Sequence, residues 1–366
     1  MTIYVRNSAF ERVAEVDGQV EFDSQVNWSD LGTWKLTLPA RHPAALALTY
    51  KGGIIVDRGH ALPLLSGPLV RMRVTHERTG QRNLVAEGVT DEDAFDARWV
   101  AGTFDQTGPA ETVMRALVNR DAGPGAPAGR RFPELQLEPD QGRGVRLRAR
   151  PDPYDNLLTV LRELGLAGGV GFRVVQDGTT RRVLFSTPRD RSRDVVFGFG
   201  RGNLLSCTYE NGRPSRNAFA VGGQGKGADR RIIVVEDAAS IAMYGRREEF
   251  LDVASAEDDD YLRQKGAEAR VDRSATSGFT IEPVEGPDST LGEDFEMGDL
   301  ITFRDEDGAE IVDRCVGSRF KIEKSGLQTL YPVTASEGTT LRGGNIVAVL
   351  RRLGRRITHL ETGTIT

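Results

Sequence analysis

The sequence predicts a mainly β chain of the α+β class, in which two strand-rich regions flank a middle that contains helices. Three observations carry this reading. Dipeptides suited to tight turns recur between short alternating apolar runs. The 42 glycines and 16 prolines are scattered singly rather than gathered in a low-complexity block. Apolar residues at helical spacing occur in only four places.

Taken in order, Asp17-Gly18 separates Arg12 to Val16 from Val20 to Phe22, and Thr79-Gly80 separates Val70 to His76 from Asn83 to Val89. Asp177-Gly178 divides Gly171 to Val175 from Arg182 to Phe185, while Asn211-Gly212, Asp307-Gly308 and Ser325-Gly326 mark further reversals. Leu300 to Phe303, Glu310 to Phe320 and Thr329 to Thr334 read as an antiparallel meander whose natural closure is a small barrel. The helical patterns lie between these regions. Ala110 to Asn119 places Val113, Met114, Leu117 and Val118 on one stripe, and Pro153 to Gly165 places Leu157, Leu158, Leu161 and Leu164 likewise, stopping at Gly165. Asp258 to Val271 opens on aspartates, which favour the positive end of a helix, and has a thin apolar side. Asn345 to Ile357 places Ile346, Val349, Leu350, Leu353 and Ile357 at helical spacing, with arginines on other faces.

The layout that follows is a first β domain over 1–104, a mixed α/β middle over 105–200, and a second β domain over 201–340. An acidic helical insertion at 238–275 interrupts the second, and 341–366 closes the chain as a basic amphipathic helix and tail. The formal charge is −5 at pH 7, which argues against general affinity for nucleic acid. The sum hides blocks of opposite sign. From Glu236 to Glu310 there are 22 acidic and 7 basic residues, whereas Arg342 to Thr366 holds 5 basic and 1 acidic. Such blocks suit contacts between copies or with a neighbour. No run approaches the ~20 apolar residues of a membrane-spanning helix, and no secretory leader is visible at the start, so synthesis in a cytoplasm is expected.

No residue pattern in the sequence has the spacing of a catalytic, metal or phosphate site. His42, His60, His76 and His359 lack the spacing that brings two imidazoles to one metal, and the cysteines, Cys207 and Cys315, are too few for a thiolate zinc site and read as core. Gly222-Gly223-Gln224-Gly225-Lys226-Gly227 lacks the hydroxyl a phosphate loop needs after its lysine, and reads as a hairpin tip. Asp305-Glu306-Asp307-Gly308 reads as a turn rather than a calcium loop, and Glu257-Asp258-Asp259-Asp260 as a helix start. Arg146, Arg148 and Arg150 would form a stripe on a charged edge strand. No catalytic residue, cofactor site or metal site is assigned, and the chain is expected not to be an enzyme.

The stretch Val26-Asn27-Trp28-Ser29-Asp30-Leu31-Gly32-Thr33-Trp34-Lys35-Leu36-Thr37-Leu38-Pro39 resembles a pattern near the start of tail hub proteins of long-tailed bacteriophages, especially those of actinobacteria. In that family a tryptophan or other aromatic residue leads into a Gly-Ser or Gly-Thr turn and a strand alternating toward Leu-Pro. Trp34, Leu36 and Leu38 fall on one face at period two, with Pro39 ending the strand. Ser66-Gly67-Pro68-Leu69, Asn217-Ala218 leading to Val221-Gly222-Gly223, and Met297-Gly298-Asp299-Leu300-Ile301-Thr302 match in the same order.

The resemblance implies a baseplate or tail-tip hub with two small antiparallel β-barrels per subunit, assembled as a homotrimer in the virion. A three-fold ring of paired barrels presents six similar units to a six-fold tail tube. Its implied partners are the distal tail protein ring, the tape measure protein, and a tail fibre, spike or receptor-binding protein, with DNA only as passing cargo. Trp28, Gly32, Trp34, Leu36, Leu38, Pro39, Asn217, Gly298 and Asp299 are the residues expected to build the fold and the assembly. Arg351, Arg352, Arg355 and Arg356 are the candidate interface. Alternatives are a cell-wall-active enzyme, or a carbohydrate-binding module that stacks sugars on Trp28, Trp34 or Trp99.

Overall fold

The computed structural model describes residues 1–334 other than 77, 79, 81, 254–257, 275, 307 and 309. The four-arginine segment therefore lies outside the described residues. Strands dominate and helices are few, as the alternating patterns predict. Two compact units form. One holds Met1–Leu205 and Glu282–Gly308 with the strand run from Val312, and the other holds Ser206–Ile281.

In the first unit an eleven-stranded sheet runs in the order 196–198, 300–304, 310–322, 21–27, 30–39, 82–89, 65–76, 53–57, 2–6 and 12–16, with 328–334 paired to 310–322. The meander over 300–334 thus continues the N-terminal sheet, because Gly317–Ile322 pairs antiparallel with Phe22–Asn27. The sheet curls at the long strand Leu65–His76, whose first half pairs with Gly53–Val56 and whose second half pairs with Arg82–Gly88. Its register shifts between Leu69 and Arg71, an irregularity that lets one strand serve both ends of the curl. Inside lie Ile3, Val5, Phe22, Trp34, Leu36, Leu38, Ile54, Val56 and Phe320, all at most 2% exposed. Phe22 and Phe320 meet at 5.7 Å between ring centroids.

The middle packs two helices, Ala110–Asp121 and Leu157–Gly168, on the strands Gly171–Asp177 and Thr180–Ser186. Met114, Leu117, Val118, Leu157, Leu161, Phe172 and Val183 form one cluster there. The second helix starts four residues later than its pattern predicts. Asn156 caps it by accepting from the Thr159 N–H at 3.0 Å, and Gly169 ends it at φ 67°.

In the second unit the strand Ala218–Gly222 lies between Ile232–Glu236 and Glu248–Asp252. The helix Asp259–Asp272 covers one face of this sheet through Leu262 and Ala269, against Phe219 and Val221. No helix among the described residues is long and apolar enough to cross a membrane.

Three local readings need correction. Arg12–Val16 and Glu21–Asn27 do not pair across Asp17-Gly18; the first joins Thr2–Arg6 and the second joins Asp30–Pro39. A turn dipeptide dictates local φ and not the identity of the pairing strand. Asn211-Gly212 ends the strand Leu204–Gly212, whose partner is Thr276–Pro283, and is not a hairpin. Cys315 is buried, whereas Cys207 is only partly so.

Candidate functional site

Of the residues singled out in the sequence, Trp28, Gly32, Trp34, Leu36, Leu38, Pro39, Gly298 and Asp299 lie in the first unit and Asn217 in the second. Trp34, Leu36 and Leu38 sit 2%, 0% and 1% exposed on the inward face, and the Trp34 indole donates to the Val89 carbonyl at 3.0 Å. Pro39 ends the strand Asp30–Pro39. The turn, however, is at Trp28-Ser29, with Asn27 opposite Asp30 and Ser29 at φ 60°. Gly32 lies inside the strand instead. A Cβ there would stand 2.5 Å from the Gln25 carbonyl oxygen, so close approach of the backbone requires glycine.

Trp28 is held between two backbones distant in sequence. A Cβ on Gly171 would meet its Nε1 at 2.0 Å and one on Gly298 its Cε2 at 2.7 Å, while the Arg314 guanidinium lies 5.5 Å from the ring centroid. Asp299, 2% exposed, fixes this wall. Its carboxylate accepts from the Arg189 N–H at 2.7 Å, the Arg189 Nη2 at 2.9 Å and the Glu296 N–H at 3.0 Å. Its carbonyl accepts from Cys315 at 2.9 Å. Burial pushes the Cys315 thiol up to about 12, which leaves it protonated and a poor nucleophile. Asn217, in the second unit, does similar work, accepting from the Arg247 N–H at 2.7 Å and donating to the Gly245 carbonyl at 2.8 Å.

A buried polar joint not anticipated from the sequence ties the curled sheet to the middle. Arg6 clamps Asp91 with two bonds of 2.7 and 2.6 Å and also reaches Gln176 at 2.9 Å. Ser66 donates to Asp91 at 2.6 Å, which places the Ser66-Gly67 motif in this network. Burial works to raise the Asp91 pKa, but the Arg6 guanidinium beside it, with Arg181 and Ser66, holds it below the usual carboxylate value. The strand Gly171–Asp177 is the free edge of its small sheet. Side chains take the place of a neighbouring strand: Phe172, Val174 and Gln176 donate their N–H groups to Ser29 Oγ at 3.0 Å, Glu92 Oε1 at 2.7 Å and Ser66 Oγ at 2.8 Å. The sole local signal was Arg6 directly following the apolar strand residues Ile3 and Val5.

The opposite face of the sheet carries a row of alternating charge across five strands. Register aligns Lys321 with Asp23, Asp23 with Lys35, Lys35 with Glu87, and Glu87 with Arg71. Two open grooves of about 540 and 440 Å³ run along it, lined by Lys321, Asp23, Lys35 and Glu87 with Glu21, Lys324 and Arg319 among others. Their charges are already matched, as in Arg71 with Glu87 and Lys324 with Glu21 at 3.2 Å. Among the described residues no group of three or more His, Cys, Asp or Glu could hold a metal ion.

A family model described as Siphovirus ReqiPepy6 Gp37-like protein matches residues 2–334. The chain belongs to this siphovirus Gp37-like family. The match spans the curled sheet, the polar joint, the Trp28 wall and the second unit alike. Among solved structures, this Gp37-like chain is similar to the tail protein from Neisseria meningitidis MC58, at 16% identity and a TM-score of 0.50, over 91% of this chain and 96% of that one. It is also similar to the 43 kDa tail protein of prophage MuSo2 from Shewanella oneidensis, at 12% identity and a TM-score of 0.51, over 93% of this chain and 100% of that one. These likenesses are of fold. No curated protein matches the Gp37-like chain.

Proposed function

We propose that the chain is the structural hub at the baseplate, or tail tip, of a long-tailed phage, acting by assembly and not by catalysis. Three copies form a ring of paired barrels that joins the six-fold tail tube and distal tail protein to a fibre, spike or receptor-binding protein. Tape measure protein and then DNA pass through it at genome ejection. The observation that carries this reading is membership of a siphovirus family over 2–334, together with a fold shared along nearly the whole chain with two tail proteins. A gold-labelled antibody against the chain should decorate intact particles at the tail end far from the capsid; label along the tube or on the capsid would contradict the reading.

A second reading, saccharide binding at the tail, rests on Trp99, which is 52% exposed with the Arg130 guanidinium 5.0 Å from its ring centroid. Trp34 is buried and has no part in it. Loss of adsorption to host cell walls on Trp99→Ala would favour this role, and unchanged adsorption would remove it.

A further inference from the structure

The three-stranded sheet of the second unit has one covered face and one open face. Phe219, Val221, Ile233 and Leu251 pack toward the helix Asp259–Asp272, and a Cβ on Gly266 of that helix would meet Val235 at 2.5 Å. Successive side chains of a strand alternate between faces, so Ala220, Ile232, Val234 and Phe250 point the other way. Register places Ala220 opposite Val234 on one side and opposite Phe250 on the other, a single apolar row across the sheet. Ile232, Val234 and Phe250 are 52%, 57% and 51% exposed. Charged pairs frame the row. At one end Arg230 pairs with Asp252 and lies 5.1 Å from the Phe250 ring centroid. At the other, Arg246 reaches Glu236 at 2.8 Å and Glu248 at 2.6 Å. The rim therefore holds three carboxylates against two guanidiniums.

We propose that this open face is the docking site of the C-terminal segment Asn345–Ile357 of this chain. Three features select that occupant. The described chain ends at Thr334, leaving residues 335–366 to be placed, and within them Ile346, Val349, Leu350, Leu353 and Ile357 make an apolar stripe at helical spacing. From Arg342 to Ile357 there are five arginines and no acidic residue, the complement of a rim in carboxylate excess. The sizes agree as well. A thirteen-residue helix is ~20 Å long and ~10 Å wide. Three five-residue strands present a face of ~17 by ~10 Å. The fourteen-residue helix Asp259–Asp272 already covers the opposite face of the same sheet. Docking would bury the apolar row between two helices and place Arg351, Arg352, Arg355 and Arg356 near Glu236, Glu248 and Asp252. This holds whether or not the chain serves as a tail hub.

Hydrogen exchange on the full chain, read by mass spectrometry, tests it. Amides over 345–357 should exchange at least about tenfold more slowly than an unstructured segment, and Val234→Asp should abolish that protection while Phe219 and Val221 keep theirs. If Val234→Asp also exposes Phe219 and Val221, the charge reversal Arg351→Glu with Arg355→Glu decides, with several-fold faster exchange over 345–357 expected. The proposal is overturned if 345–357 exchanges freely in the native chain. It is equally overturned if protection there survives Val234→Asp with the sheet intact, or survives the arginine reversals.

Discussion

Asp91 and Glu92 are neighbours in sequence with opposite electrostatic fates. Asp91 is buried but ionised against Arg6, so Asp91→Ala strands a guanidinium without its carboxylate and should destabilise the fold by about 3 to 5 kcal/mol in a urea titration. Arg6→Met combined with Asp91→Leu should cost less than Asp91→Ala alone, since it leaves no uncompensated charge. Glu92 has no such clamp, and burial raises its pKa from the ordinary 4.5 to about 6. The folded state therefore binds a proton that the unfolded state releases between those values. Stability should fall as pH rises from about 4.5 to about 6, by on the order of 2 kcal/mol. Glu92→Gln keeps an oxygen to accept from Val174, and thermal melts across that window should show the slope flattened. A slope equal to that of the native chain would exclude Glu92 as its source.

Among the elements, the alternating charge row shows what local sequence can and cannot convey. Period two is enough to place Trp34, Leu36 and Leu38 inward and Lys35 outward, because each strand residue reports its own face. It does not convey that Lys35 lies between Asp23 and Glu87, which depends on register with two other strands. Lys35→Glu would set three carboxylates side by side. Like charges directly opposite cost up to ~1 kcal/mol per pair, so melting should drop at low salt and recover toward native at 1 M salt. An equal drop at both salt concentrations would mean the loss is steric. The helices over 110–121 and 157–168 were legible from their apolar stripes, whereas the start of the second depended on the Asn156 cap. The sequence does not separate Gly32 from a turn glycine, because glycine serves both positive φ and close backbone approach, and only the partner strand tells which.

At the scale of the whole molecule, the mainly β character and the few helices follow from turn spacing and periodicity. The polar joint does not. Ser29 meets Phe172, Glu92 meets Val174 and Arg6 meets Gln176 across separations of 82 to 170 residues, and no local pattern marks a side chain that substitutes for a strand. Those contacts tie the curled sheet to the middle across long stretches of chain. In the proposed function this chain works as a ring of three. The mass of the purified chain, alone and with the distal tail protein of the same particle added, tests this most directly. Three chains of 40.0 kDa, a species of about 120 kDa in either sample, are the predicted result, and a 40.0 kDa monomer in both would contradict it.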